Sequence, residues 1–327
     1  MTPFTPFFRN PHLLTIAGNY WQRRLDENRF PVEARLYETE PGVQVLMHSQ
    51  TPASPRAGEL ILVHGLEGSS AAGYARSFAQ AALEAGYAVH RYNMRSCGGT
   101  EHLSGTTLYH SGQTSDLLAV IRQLQGPSPI FLAGFSLGGN VVLKLAGELG
   151  ESARELIAGV AAVSTPIDLA ACVRRLDRRV NFIYSNRFLS RLKQRVRLKE
   201  RLTPGLFPIE KLDRVKSVYQ FDDLFTAASF RFGSADNYYA TQSSNQFLDR
   251  IRIPTLLVQA KDDPLIPFEV YDHPAFSRNP WLRLLAVEHG GHLGFVAKGK
   301  PRFWLDQVLV QWIGEVRNKV AAGLVLS

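Results

Sequence analysis

Three kinds of side chain, widely separated along the chain, have the chemistry of an acyl-transfer centre: Ser136, the aspartates Asp262 and Asp263, and the histidines His289 and His292. Ser136 stands in Gly134-Phe135-Ser136-Leu137-Gly138, a G-x-S-x-G pattern. In such a pattern the serine rides a strained turn from strand to helix, and glycine on either side removes side chains that would clash. Five residues with three fixed positions also occur in plain strand-to-helix turns, so the flanks decide. The unbroken apolar run at 130–133 predicts a strand buried on both faces, and Val141, Val142, Leu145 and Leu149 predict an amphipathic helix after it. A serine there would lie beside the first free N–H groups of that helix, beginning near Leu137, which could receive the negative charge developing on a substrate oxygen.

The other parts follow strands of the same kind. After the apolar run 60–63 comes His64-Gly65-Leu66-Glu67-Gly68-Ser69-Ser70. It lacks the Gly-Lys-Ser/Thr of a phosphate loop and the G-x-G-x-x-G of a dinucleotide site. Small residues would let its backbone approach a substrate, and the Leu66 N–H is expected to be the second oxyanion donor beside Leu137. An acid belongs directly after the strand at 255–260, where Asp262 and Asp263 both qualify, and Pro267 can start the helix expected to follow. After the strand at 282–287, His292 lies in a glycine-rich bend with His289 as competitor; as a metal pair the two histidines lack a third ligand. The chain order is serine, acid, histidine, one of three familiar arrangements of such a triad.

The elements that must position these residues form an alternating series. Strands are predicted at 32–37, 43–48, 60–63, 87–92, 130–133, 156–163, 255–260 and 282–287. Helices are predicted at 19–25, 72–85, 115–124, after Ser136 and at 301–320, with a surface loop at 51–58. Alternation of this kind implies an α/β fold with a mostly parallel sheet between helices. Residues 168–245 break the pattern: this helical, arginine-rich and aromatic stretch of 78 residues is too long for a crossover and is expected to cap the strand ends. Tyr238, Tyr239 and Phe232 are candidates for a pocket wall there, although aromatic clusters are commonly core.

Composition bounds the rest. With 327 residues, 45% hydrophobic and 20% charged, the chain is long enough for a large core and is not disordered. Its net charge of +8 is concentrated in residues 174–201, which hold eleven Arg or Lys against two acids. That stretch is a solvated helix face, or makes weak contact with an anionic membrane surface; nucleic acid is not expected as a partner. The apolar Phe4, Phe7, Phe8, Leu13 and Leu14 are expected to pack against the body of the domain. No signal-peptide pattern or long apolar span is present, so the expected location is cytoplasmic. Cys97 and Cys172 are expected to be reduced, with Cys97 filling space rather than reacting.

Taken together, Asn10-Pro11-His12-Leu13, the segment at 64–69, residues 93–99, Gly134-Phe135-Ser136-Leu137-Gly138-Gly139-Asn140, Asp262-Asp263-Pro264 with Pro267, and Gly291-His292-Leu293-Gly294-Phe295 resemble the α/β-hydrolases, and more narrowly the bacterial YheT-like hydrolases. These are related to eukaryotic α/β-hydrolase-domain lipid esterases, and the likeness covers nearly the whole chain. The resemblance implies one α/β-hydrolase domain over 1–327, with about eight strands and a helical cap at 168–245. It also implies a serine esterase with Ser136 as nucleophile, His292 as base and Asp263 as orienting acid, acting on a small-molecule or lipid ester. Asp263 is favoured over Asp262 by its distance from Pro267, His292 over His289 by the Leu-Gly-Phe run that follows, and Leu66 with Leu137 as the oxyanion pair. No metal or organic cofactor is required by such a mechanism. An amidase, thioesterase or peptidase would use the same residues, and a non-catalytic binding protein could share the fold.

Overall fold

The computed structural model describes residues 3–53 and 57–323; part of the loop expected at 51–58, and the two ends of the chain, lie outside the described residues. Eight strands make one sheet: β1 (Glu33–Glu40), β2 (Val43–Gln50), β3 (Glu59–Val63), β4 (Ala88–Tyr92), β5 (Ile130–Phe135), β6 (Gly159–Val163), β7 (Thr255–Ala260) and β8 (Leu282–Val287). Their spatial order is β1-β2-β4-β3-β5-β6-β7-β8, with β2 antiparallel to both its neighbours and all other pairs parallel. The apolar runs account for this placement. β3, β5, β6 and β7 are buried along their whole length, whereas β1 at the edge is mostly exposed.

Alternate residues of each strand feed two cores. Leu60 and Leu62 of β3, with Phe131 and Ala133 of β5, face α2 (Gly73–Glu84) and the closing helix, meeting Phe78, Ala82, Val308 and Trp312. Ile61, Val63 and Leu132 face the other way, onto Leu117 and Val120 of α3 (Thr114–Leu124) and Val141 and Val142 of α4 (Leu137–Leu149). The series between β6 and β7 is entirely helical: α5 (Leu169–Leu176), α6 (Phe182–Leu202), α7 (Val218–Phe221), α8 (Ala227–Ser229) and α9 (Ala235–Gln242). Two more helices follow, α10 (Ala275–Arg278) and α11 (Trp304–Ala321). Among the described residues no helix is long and apolar enough to cross a membrane.

Most expected boundaries agree to within a few residues, with three differences. The first helix, α1, is Pro11–Tyr20 rather than 19–25: Asn10 caps it by accepting the N–H groups of His12 and Leu13, and Pro11 supplies its first turn. The strand expected from 156 begins only at Gly159, because Gly150–Glu155 forms a 3-10 turn whose continuation leads into it. Pro267 starts a short 3-10 turn, Phe268–Tyr271, rather than a full helix. The apolar N-terminal cluster also divides: Phe4 packs on Phe295 and Trp304, Leu14 is buried, and Leu13 is exposed.

β3 has β4 on one side and β5 on the other, so the chain reverses direction across the sheet at this point. In parallel α/β sheets the crevice outside the strand ends at such a reversal is where ligands bind. The turn after β5 is packed hard against β3: a Cβ on Gly138 would overlap the carbonyl oxygens of Val63 and His64, and one on Gly134 would overlap the Gly138 carbonyl. Gly138→Ala must therefore move backbone, and we expect it to lower stability by about 1–3 kcal/mol, the usual cost of overfilling a packed interior. Urea unfolding checks this; an unchanged midpoint would mean that the turn yields freely.

Candidate active site

Ser136 takes φ 52° and ψ −122°, a conformation that costs a non-glycine residue of the order of 1–3 kcal/mol unless its surroundings enforce it. They do so with hydrogen bonds: the Ser136 N–H donates to Val163 O of β6 at 2.8 Å, and the Gly139 N–H donates to Ser136 O at 2.8 Å. The register pairs Val63 of β3 with Gly134 of β5, so the segments that follow the two strands, one carrying Leu66 and the other Ser136, lie side by side.

His292 reaches the serine from the segment after β8. Its Nε2 lies 2.9 Å from Ser136 Oγ, and its Nδ1 lies 2.9 Å from Asp263 Oδ2. Asp263 is buried and its other oxygen accepts the N–H groups of Leu265 at 2.8 Å and Ile266 at 3.1 Å, while Gln259 Nε2 donates to Oδ2 at 3.3 Å. A carboxylate held from both sides can only accept from the imidazole. Nδ1 therefore carries the proton, and Nε2 is left as acceptor for the serine hydroxyl.

The neighbouring acid points elsewhere. Asp262 accepts the N–H groups of Gly290 and Gly291, each at 2.9 Å, and contacts His289 Nδ1 at 3.0 Å. Asp262 and His289 thus brace the bend that carries His292 and do not touch Ser136. A further brace was not visible in the sequence. The His292 N–H donates to Thr15 Oγ1 at 2.9 Å, and that hydroxyl donates to Pro11 O at 2.7 Å, so α1 holds the histidine in place.

Leu66 and Leu137 both border the space in front of Ser136. As first residue of α4, Leu137 has an N–H with no acceptor inside the helix. The Leu66 N–H has no hydrogen bond among the described residues, while its neighbours are fully engaged. His64 donates from Nδ1 to Gly65 O at 2.8 Å and accepts the Met94 N–H at Nε2 at 3.1 Å. Burial lowers its pKa to about 4, which keeps the ring neutral for this double role. Glu67, at φ 54°, donates its N–H to Tyr109 OH at 2.8 Å, and its carboxylate is gripped by Arg195 of α6 through Nε and Nη2, each at 2.9 Å. Arg195 also reaches Glu101 at 3.2 Å. No signal in the sequence separates Arg195 from the ten other basic residues around it.

Ser136 and His292 open onto a cavity. Apart from the site itself, its walls come largely from the helical insertion: Leu169, Cys172, Leu176, Val218 and Phe221 give an apolar lining. Polar lining comes from His110, Asp222, Tyr238 and Tyr239. Phe232 stacks behind Tyr238 and is not part of the wall. Asp222 opens a π-helical turn, Asp222–Thr226, and accepts the hydroxyls of Thr226 and Tyr239, each at 2.7 Å. Its carboxyl is pushed up to about 6 by burial, and His110 is pushed down to about 3 for the same reason. Both cysteines are free and buried, and burial lifts the Cys97 thiol to about 12, far from the range of a reactive thiolate.

A family model described as alpha/beta hydrolase fold matches residues 59–298. The chain is 32% identical over 314 residues to YheT of Escherichia coli (strain K12), covering 94% of this chain and 91% of that protein. It is 29% identical over 260 residues to the phospholipase ABHD3 of Mus musculus, covering 78% of this chain but 62% of that longer protein. Among solved structures, the Pyrococcus furiosus esterase Pf2001 aligns over 97% of this chain and 99% of its own, with a TM-score of 0.59 at 17% identity, a likeness of fold.

Two charges beside the cavity, the half-buried Asp222 and the buried Arg195, make the site testable without substrate. For Asp222 the carboxyl pKa is raised from 3.8 to about 6, so its stabilising contribution is complete below pH ~4 and is lost as pH rises through ~6. Asp222→Asn keeps an acceptor for Tyr239 and removes the charge. We expect it to be more stable than the parent at pH ~8, by up to about 3 kcal/mol, and to lose that advantage below pH ~4 in urea melts. Arg195→Met strands Glu67 in the interior and is expected to cost about 3–5 kcal/mol, most of which Glu67→Gln in the same chain should restore. Additive losses in the double variant would contradict the pairing.

Proposed function

The chain belongs to the α/β-hydrolase family, with YheT among its relatives, and we propose that it cleaves carboxylic esters through an acyl-enzyme on Ser136. The observation that carries this reading is the unbroken contact from Asp263 through His292 to Ser136, each step 2.9 Å, at the mouth of an apolar cavity. His292 Nε2 takes the hydroxyl proton as Ser136 Oγ attacks the ester carbonyl carbon, and Asp263 stabilises the imidazolium and holds its orientation. The carbonyl oxygen, now negative, is received by the N–H groups of Leu66 and Leu137, each worth about 3–4 kcal/mol in the transition state. His292 then gives its proton to the departing alkoxide. In the second half water loses a proton to Nε2, its oxygen attacks the acyl carbon, and the carboxylic acid leaves as Ser136 recovers its hydrogen.

The cavity points to the acyl half of the substrate. Leu169, Leu176, Val218 and Phe221 suit a short to medium or lipid-like chain, and in this reading residues 168–245 act as a cap on a single hydrolase domain. Esters are favoured over amides and thioesters as the leading substrates because the relatives include a phospholipase, which cleaves lipid esters. The test compares p-nitrophenyl esters of increasing chain length with matched amides and thioesters. Ser136→Ala is expected to abolish ester turnover, and Asp263→Asn to reduce kcat about 10⁴-fold by disturbing the imidazole tautomer. Ester turnover that persists in Ser136→Ala, or a protein inert to all three substrate classes, would replace this reading with a different nucleophile or a binding role.

A further inference from the structure

A second opening leads to Ser136 from outside, and it runs between α1 and α6. This groove is bordered by Ile16 and Tyr20 on one side and by Ile183, Arg187 and Arg191 on the other, and it reaches Ser136 and His292. The two helices are joined across it: His12 Nδ1 lies 3.2 Å from Tyr184 OH, and the Arg187 guanidinium lies 5.6 Å from the centre of the Tyr20 ring. Large apolar side chains stand in water on both rims. On α6 and the turn before it, Val180 is 68%, Phe182 62% and Ile183 73% exposed; on α1, Leu13, Ile16 and Tyr20 are exposed too.

The basic residues of the insertion have different fates. Arg195 and Lys199 are buried and satisfied, the first by Glu67 and the second by Glu101 O, Ser104 Oγ and Gly105 O. Arg178 and Arg179 stand exposed in the segment just before α6, Arg187 and Arg191 border the groove, and none of the four forms a salt bridge among the described residues; Arg187 donates to Tyr20 OH at 3.4 Å and Arg191 to Glu67 O at 3.3 Å. The acid nearest them in sequence, Asp177, is occupied by Ser185 and by the N–H groups of Val218 and Tyr219.

We infer that this face, the rims formed by α1 and the start of α6, docks on an anionic phospholipid bilayer and draws the ester from it through the groove to Ser136. Exposed aliphatic and aromatic tips close in sequence to guanidinium groups without a carboxylate partner among the described residues match the two layers of such a surface, acyl boundary and phosphate. The destination of the groove rests on the catalytic reading of Ser136; the docking itself does not.

Co-sedimentation of the full chain with extruded vesicles tests the inference. Vesicles with about 30% phosphatidylglycerol should retain the protein roughly tenfold better than pure phosphatidylcholine, with retention falling as salt rises. Val180→Ser with Phe182→Ser, and separately Arg178→Glu with Arg179→Glu, should each reduce retention at least fivefold while leaving hydrolysis of a water-soluble p-nitrophenyl ester unchanged. Ser136→Ala should bind vesicles like the parent, which separates failure of docking from failure of the catalytic reading. Equal retention on both vesicle types, variants that bind like the parent, or a dimer in sedimentation velocity that Ile183→Ser dissociates would overturn the inference.

Discussion

A single turn carries the weight of this structure. Ser136 is held at positive φ between β5 and α4, with its N–H on Val163 O and Gly138 pressed against the carbonyl groups of Val63 and His64. The strain is tolerated because the two flanking strands, β3 and β6, enforce it, and the sheet also delivers the partners of the site. β3 leads to Leu66 and its free N–H, and β6 supplies the acceptor that fixes the turn. β7, next in line, ends at Asp263. The parallel order of the sheet is thus the means by which residues distant in sequence come within a hydrogen bond of each other.

The insertion between β6 and β7 acts on that turn from the other side. α6 sends Arg195 inward to Glu67, the residue after Leu66, so that the loop offering the N–H is clamped by a buried ion pair reaching across 128 residues of chain. Its neighbours supply the apolar lining of the cavity and, at Asp222, a half-buried carboxyl in its wall. The same helix turns its first residues outward. One element therefore shapes both the inner pocket and the outer face, and its surplus of positive charge has two separate structural meanings.

How much of this was legible in the sequence follows from locality. Unbroken apolar runs mark β5, β7 and β8 nearly to the residue, and glycine frames mark Ser136 and His292, because burial and tight turns are imposed by adjacent residues. Asp262 and Asp263 differ by one position, and spacing alone leaves both open; the choice is made by the N–H groups of Leu265 and Ile266 on one side and of Gly290 and Gly291 on the other. Arg195 and Thr15 were invisible as site residues, since their partners are remote in sequence and no local pattern marks them. The first helix lies before the expected 19–25, and its start signal in the sequence is Asn10 followed by Pro11.

The central claim is that Ser136 is the activated nucleophile, and covalent capture addresses it most directly. Treatment with a fluorophosphonate followed by intact-mass and peptide mass spectrometry should find one phosphonyl group per chain, on the peptide that contains Ser136, and none after His292→Ala removes the base. An adduct on another residue, or a chain that stays unlabelled while folded, would contradict the account.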